Sequence, residues 1–138
     1  MRVVYVDSSA LVALLWRRDR SHVRVRDHYF RLRNQKDLLL TSNLVVSETA
    51  TRLRYDAGLI AALGFRTLIE EGAAGGRLEV RYADSELEGK AWRIMERYSD
   101  RALSFADCVG AVTAREGSAA AVFGLDADFT ALGFALEP

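Results

Sequence analysis

Short apolar runs alternate along the chain with longer segments whose apolar residues recur every three or four positions. The first run, Val3 to Val6, ends abruptly at Asp7 and is followed by two serines and the apolar stretch Ala10 to Trp16. Short apolar runs are typical of buried strands, whereas recurrence every three or four residues indicates one face of a helix. Aspartate and serine are favoured caps at the start of a helix. The beginning of the chain therefore predicts a strand, a cap and a helix.

The same alternation continues to the C-terminus, and glycines mark several helix ends. We predict strands at Val3 to Val6, Leu38 to Leu40, Leu78 to Tyr82 and Ala119 to Phe123, with a terminal strand around Phe134 to Leu136. We predict further helices from Ser21 to Gln35, from a cap among Thr41, Ser42 and Asn43 to near Gly58, from Ala61 to Glu71, from Ser85 to Tyr98, and from Ser104 to Gly117.

Strands that alternate with helices predict a parallel sheet covered on both faces, because each right-handed crossover places its helix on the sheet. We expect an α/β fold, a three-layer α/β/α sandwich around a mostly parallel sheet of four to five strands. The chain has 138 residues, of which 50% are hydrophobic, enough for one compact core. We therefore expect one domain over residues 1–138.

The charge balance argues against a protein that binds nucleic acid by bulk electrostatics alone. Lysine and arginine number 19, as do aspartate and glutamate, so the formal net charge is zero. Seven arginines do fall between Arg17 and Arg33. Such a stretch could hold phosphates or an acidic partner, but a solvated helix face is the simpler interpretation.

The cysteine content and the first residues of the chain indicate the cellular compartment in which we expect the protein. Cys108 is the only cysteine, so the chain cannot form an internal disulfide. The stretch Met1 to Leu15 is short and contains Asp7, which fits neither a signal peptide nor a membrane span. We expect a cytoplasmic protein with no membrane partner.

Four acidic residues stand where strands of a parallel sheet end or the following helices begin. Asp7 closes the first strand, Glu48 lies in the early turns of a helix, Asp107 lies in a first helical turn, and Asp126 follows the strand after Ala119. These positions share one edge of the sheet, where ligands bind in such folds. Like charges gathered there repel unless a cation or protons neutralise them. The sequence therefore predicts an acidic site at this edge.

Carboxylate oxygens favour Mg²⁺, with Mn²⁺ as a substitute, and the chain has no cluster of cysteine and histidine that would favour zinc. Such an ion activates water and neutralises phosphate, which is the chemistry of phosphodiester hydrolysis. Ser8, Ser9 and Ser104 lie beside the acids and could hold water or phosphate oxygens. Each acid alone also fits a structural role, as a helix cap, a first-turn acid or a turn residue. The apolar neighbours of Glu48 indicate a largely buried segment.

Four motifs, in this order along the chain, resemble the PIN domain, in particular toxins of the VapC type: Val4 to Leu11, Ser47 to Thr49, Leu103 to Asp107, and Phe123 to Phe129. The resemblance implies a magnesium-dependent endoribonuclease that serves as the toxin of a toxin-antitoxin pair. It implies Asp7, Glu48, Asp107 and Asp126 as catalytic, metal-binding acids, with Asp128 as a peripheral fifth acid. Many members carry threonine or serine two residues before the last metal acid, whereas this chain has Gly124.

The resemblance further implies an RNA substrate, a small antitoxin partner and a homodimer. The alternative function is a non-catalytic PIN-like module that binds RNA or a protein partner without cutting. The helices from Ser21 to Glu71 could present an apolar face to a second subunit or to an antitoxin helix. His22 and His28 are expected to be surface or helix residues, not ligands. Trp16 and Trp92 are expected to serve core or dimer packing, not base stacking.

Overall fold

Strands and helices form in the order that the sequence pattern predicts, apart from a short helix, Asp128–Ala131, that the pattern does not predict. The computed structural model describes residues 1–138. The five strands are β1 (Val3–Val6), β2 (Leu38–Ser42), β3 (Leu78–Arg81), β4 (Ala121–Phe123) and β5 (Leu136–Glu137). The seven helices are α1 (Ser8–Leu15), α2 (His22–Asn34), α3 (Asn43–Asp56), α4 (Leu59–Ala74), α5 (Ser85–Arg97), α6 (Phe105–Glu116) and α7 (Asp128–Ala131).

The strands form one sheet in the order β3-β2-β1-β4-β5, and every neighbouring pair is parallel. The chain moves from β1 to β3 in one direction and from β4 to β5 in the other. Right-handed crossovers therefore put α1 to α4 on one face and α5 to α7 on the opposite face. This arrangement confirms the predicted three-layer α/β/α sandwich. The direction reverses between β1 and β4, which is where a parallel sheet opens a binding crevice.

The end of α4 differs from the prediction. The helix does not stop at Glu71 but continues to Ala74, through Gly72. A Cβ at Gly72 would lie 2.8 Å from the Cβ of Leu78, so this glycine allows β3 to pack against the helix. The chain turns only at Gly76, whose φ of 68° suits a residue without a side chain. Packing, not helix termination, explains the first glycine of the cluster.

The terminal strand lies at a different position from the predicted one, and the two histidines lie in α2, at least partly buried. The last strand is shifted to Leu136–Glu137, where it pairs with β4. His28 is buried, with 6% of its surface exposed, because its ring packs on Phe123 and its Nε2 lies 3.0 Å from the carboxylate of Glu137. His28 is thus a helix residue, as predicted, but it lies on the buried face of α2 and not at the surface. Partly buried His22 contacts the carbonyl of Ala13 through Nδ1.

The two tryptophans occupy different environments. Trp16 is partly buried and packs against the core. Trp92 is 57% exposed, so the core is excluded as its role, and dimer packing, the other role predicted for it, stays a prediction. Its position on α5 places the indole at the surface, because Leu87, Ala91 and Ile94 form the buried face of that helix. None of the helices combines the length and the apolar character needed to span a membrane.

The contact between α6 and β1 supports the central sheet. Tyr5 of β1 is completely buried, and its ring reaches the backbone of α6 at Gly110. A Cβ at Gly110 would lie 2.6 Å from the Tyr5 hydroxyl oxygen and 3.0 Å from two ring atoms. The absence of a side chain therefore allows the helix to approach the strand that leads to Asp7.

Gly110→Ala is expected to destabilise the protein by about 1–3 kcal/mol, because the new methyl group overpacks a site that cannot relax. Gly89→Ala is the matched control, since Gly89 also lies within a helix but a Cβ there would meet nothing within 4 Å. Alanine should stabilise that helix by about 0.5–1 kcal/mol. Denaturant unfolding of both variants measures the difference, and equal stabilities would contradict this view of the α6–β1 contact.

Candidate active site

Asp7 is held in place by the start of α1. It is the N-cap of that helix, and its Oδ2 accepts hydrogen bonds from the backbone N–H of Ser9 at 3.3 Å and from the Ser9 hydroxyl at 2.7 Å. Its own N–H donates to the carbonyl of Phe123 on β4. Only 5% of the Asp7 surface is exposed. Local capping chemistry thus fixes a nearly buried carboxylate at the junction of β1 and β4.

Ser9 connects Asp7 to the loop after β4. Its hydroxyl donates to Asp7 and accepts a hydrogen bond of 2.9 Å from the backbone N–H of Leu125. A Cβ at Gly124 would lie 3.0 Å from the Asp7 Cβ and 3.3 Å from the Ser9 Oγ. The Ser9 hydroxyl therefore stands directly beside the position where many PIN domains carry a hydroxyl residue. Ser8, the first residue of α1, is buried.

Asp107 is fixed by the capping box at the start of α6. The Ser104 hydroxyl accepts from the N–H of Asp107 at 3.0 Å, and the Asp107 carboxylate accepts from the N–H of Ser104 at 3.3 Å. Ser104 stands three residues before Asp107, which is the spacing of this motif, and the structure contains both halves of the box. A capping box satisfies two backbone donors that the helix leaves free, so it holds the carboxylate rigidly.

Asp126 and Asp128 lie in the loop that leads from β4 into α7. The Oδ1 of Asp126 accepts from the N–H of Asp128 at 2.9 Å, which forms a tight turn. Asp128 in turn lies 3.4 Å from the guanidinium of Arg101. Sequence reasoning did not single out Arg101, because its proximity to Asp128 depends on how the α5–α6 connection meets this loop.

Three of the acids converge. Asp107, Asp126 and Asp128 can each offer one carboxylate oxygen such that these oxygens lie within 4.8 Å of one another. Asp128, to which the resemblance gives a peripheral place, is thus part of the closest cluster. Asp7 and Glu48 lie outside this triplet. The negative charge of Asp7 nevertheless acts on Asp107, and that of Glu48 acts on Asp7.

Glu48 is exposed, so the expectation of a largely buried segment was wrong at this residue. The buried face of α3 consists of Val45, Thr49 and Leu53. Residues four apart share a helix face, which leaves Glu48 beside the buried stripe. Its side chain therefore meets solvent at the rim of the acidic site.

Burial and mutual repulsion raise the pKa of two acids. Desolvation raises the pKa of Asp7, although the hydroxyl and N–H of Ser9 oppose this effect. Desolvation, followed by repulsion from Asp7, raises the pKa of Asp107 to about 6. Perturbed carboxyl groups in a crevice are typical of functional sites. The site therefore holds negative charge at an energetic cost.

The donor set fits a hard divalent cation. Three carboxylate oxygens converge, and Arg101 is the one cation that forms an ion pair with any member of the triplet. Oxygen donors in this number match the ligands that Mg²⁺ and Mn²⁺ prefer. A cation at this position would relieve the repulsion that raises the pKa of Asp107.

Comparisons with known proteins agree with this geometry. The 23S rRNA-specific endonuclease VapC20 of Mycobacterium tuberculosis is 29% identical over 136 residues, which cover 96% of this chain and 95% of that protein. The crystal structure of VapC20, described as a Sarcin-Ricin loop cleaving toxin, superposes with a TM-score of 0.84 and 28% identity, covering 98% of this chain and 99% of the other.

A more distant structure shares the fold. VapBC2 from Rickettsia felis, solved with a DNA fragment from its promoter, has a TM-score of 0.68 at 13% identity and covers 98% of this chain and 97% of its own. A family model described as PIN domain matches residues 4–135. With that match across nearly its whole length, and with the acids at the β1–β4 crevice, the chain belongs to the PIN domain family.

Proposed function

We propose that this protein is a metal-dependent endoribonuclease and the toxin of a toxin-antitoxin pair. The observation that carries the proposal is the convergence of Asp107, Asp126 and Asp128 within 4.8 Å, beside the buried carboxylate of Asp7. The similarity to VapC20, a 23S rRNA-specific endonuclease, extends over 96% of the chain. It supports RNA as the substrate and a ribosomal RNA loop as the first substrate to test.

The residues that would hold the ion are the converging triplet, with Asp7 and Glu48 as further acids at its border. When bound, Mg²⁺ or Mn²⁺ would lower the pKa of the water molecule it holds and neutralise charge on a phosphate. The capping box fixes the carboxylate of Asp107, and Ser9 fixes that of Asp7. Both are therefore preorganised and lose little conformational freedom on binding.

Glu48 and Arg101 have exposed side chains that can meet the substrate. Glu48 is exposed at the rim and has a carboxylate that can orient a water molecule or accept its proton. Arg101 lies 3.4 Å from Asp128 and is 44% exposed, so its guanidinium can also contact an RNA phosphate. Ser104 keeps its hydroxyl in the helix cap, which assigns it to positioning of Asp107.

We infer that the antitoxin binds in the groove between α2 and α4, the α2–α4 groove. Its apolar lining includes Leu14, Leu15, Tyr29, Phe30, Ile60, Ala61 and Leu68, with Arg17 and Arg26 also lining it. Ile60 is 88% exposed and Phe30 is 50% exposed, which leaves apolar surface without a partner. An amphipathic helix with acidic residues at its border complements both the apolar lining and the arginines.

Removal of the Asp107 carboxylate tests the nuclease activity. Asp107→Asn keeps an oxygen for the capping box but removes the charge, so it should lower the rate of RNA cleavage in Mg²⁺ at least a hundredfold. Asp27→Asn, an exposed acid on α2, is the matched control and should cleave as the wild type does. Gel assays of antitoxin-free protein on ribosomal RNA measure both rates. RNA binding without any cleavage by the wild type would support the non-catalytic alternative.

Stability without metal gives an independent test of the charge cluster. Because the pKa of Asp107 is raised to about 6, the folded protein binds this proton more tightly than the unfolded chain does. The carboxylate therefore costs stability as the pH rises from about 4 to about 6, and the full cost remains above that range. In chelator at about pH 7.5, Asp107→Asn should be more stable than the wild type by about 1 kcal/mol, after discounting for solvent screening.

The advantage of the asparagine variant should disappear at about pH 4, where the wild-type carboxyl group is protonated. Thermal unfolding in both buffers measures the difference, which corresponds to about 3–5 °C in Tm at the higher pH. A variant that is less stable than the wild type at both pH values would contradict the claim that the charged carboxylate of Asp107 destabilises the folded protein.

The α2–α4 groove is tested by an acidic substitution. Ile60→Asp should abolish co-purification with the antitoxin, because a carboxylate in the groove opposes an acidic, apolar helix. Val23→Asp changes another exposed aliphatic residue, which lies outside the groove lining, and should leave co-purification intact. Retention of the partner by both variants would contradict the assignment. Loss of self-association in Ile60→Asp, with the partner still bound, would also contradict the assignment. It would show that a second copy of the chain occupies the groove.

A further inference from the structure

A network of charged side chains joins the terminal strand to the first strand. Arg2, directly before β1, donates from Nη1 to Oε2 of Glu137 at 2.8 Å and from Nη2 to Oε1 at 3.2 Å. The Nε2 of His28 on α2 lies 3.0 Å from the same Oε1. The Glu137 side chain is 24% exposed, so solvent screens these contacts less than it would at the open surface. Because β4 lies between β1 and β5, the contact of Arg2 with Glu137 bridges across β4.

The backbone of Glu137 supports the end of β4. β5 consists of Leu136 and Glu137 alone, and it pairs with Val122 and Phe123. The carbonyl of Glu137 accepts a hydrogen bond of 2.9 Å from the N–H of Gly124. A strand this short, at the edge of a sheet, has few ladder hydrogen bonds to hold it in place. The side-chain contacts of Glu137 therefore help to decide where its carbonyl lies.

Gly124 leads directly into the acidic site. The next N–H along the chain, that of Leu125, donates to the hydroxyl of Ser9 at 2.9 Å. Asp126 and Asp128, two members of the converging triplet, follow in the same loop. A shift of β5 would therefore move the start of the loop on which two of the acids stand.

His28 reaches the acidic site by a second route. Its ring packs edge-on against the ring of Phe123, with 5.0 Å between the centroids. The carbonyl of Phe123 accepts the hydrogen bond from the N–H of Asp7. The imidazole thus contacts both the carboxylate of Glu137 and the residue that holds the backbone of Asp7.

We propose that Glu137 is a positioning residue for the acidic site. Its carboxylate, held by Arg2 and His28, fixes β5, and β5 fixes the start of the loop that carries Asp126. The hydrogen bonds from Arg2 keep the pKa of Glu137 below its usual range, so the carboxylate stays charged at neutral pH. The consequence for metal binding rests on the proposed function, whereas the consequence for the loop does not.

Hydrogen exchange, resolved by residue with nuclear magnetic resonance, tests the effect on the loop. In Glu137→Ala, the amides of Gly124, Leu125 and Asp128 should exchange at least about tenfold faster than in the wild type, because the loop opens more easily without the charged hydrogen bonds of Glu137.

Asp37→Ala is the matched control, because Asp37 is the other carboxylate that Arg2 contacts. It lies directly before β2, at the edge of the sheet opposite to the acids. This variant should speed exchange at Leu38, whose N–H donates to the carbonyl of Arg2, and leave exchange in the loop of Asp126 unchanged. The isosteric pair Glu137→Gln and Asp37→Asn repeats the comparison with only the charge removed, and it replaces any alanine variant that does not fold.

Binding of Mn²⁺ to the RNA-free protein tests the consequence for the acidic site. Glu137→Ala should bind Mn²⁺ at least about fivefold more weakly than the wild type, a loss below the range for residues that contact a metal ligand directly. Asp37→Ala should bind Mn²⁺ as the wild type does. Electron paramagnetic resonance of the free ion measures both affinities, and denaturant unfolding measures how much stability each variant loses.

Wild-type exchange in the loop of Glu137→Ala, or a wild-type affinity of that variant for Mn²⁺, would overturn the positioning role. An equal loss of Mn²⁺ affinity in Asp37→Ala would also overturn it, because the effect would then come from general destabilisation. If the wild type binds no Mn²⁺, the nuclease proposal fails, and exchange at Leu125 alone decides whether Glu137 positions the loop.

Discussion

Repulsion between carboxylates gathered at the β1–β4 crevice is the constraint on which the rest of the structure depends. Two unit charges 4.8 Å apart repel by about 3 kcal/mol at an effective dielectric constant near 20. The fold holds such charges together because the sheet reverses direction at this point and brings helix starts and strand ends to one edge. A cation that neutralises such a site relieves the repulsion, and that property is the basis of the proposed metal-dependent nuclease.

Several local features serve this constraint. The caps of α1 and α6 fix Asp7 and Asp107 by hydrogen bonds to backbone N–H groups, so neither carboxylate can swing away to relieve the repulsion. The hydroxyl of Ser9 ties the first of these caps to the loop that carries Asp126. Gly110 lets α6 pack closely on β1, which brings the two caps together. Packing in the core and chemistry at the edge are therefore coupled through one helix and one strand.

The sequence was most informative where local rules decide the structure. The cap at Asp7 and the start of α6 at Ser104 follow from residue spacing, and the parallel direction of the strands follows from their alternation with helices. Together they sufficed to predict the edge at which the acids meet. Contacts between segments that are far apart in the sequence could not be predicted. The continuation of α4 through Gly72 depends on Leu78, and the exposure of Trp92 depends on which face of α5 packs inward. The approach of Arg101 to Asp128 likewise depends on two loops whose relative position no local pattern encodes.

The central claim is that the acids at this edge hold a divalent ion, and anomalous diffraction from crystals soaked in Mn²⁺ tests it most directly. The account predicts an anomalous peak within bonding distance, about 2.0–2.3 Å, of at least two carboxylates among Asp107, Asp126, Asp128 and Asp7. A crystal that shows no such peak at this edge at millimolar Mn²⁺, or a peak that touches only one acid, would contradict it.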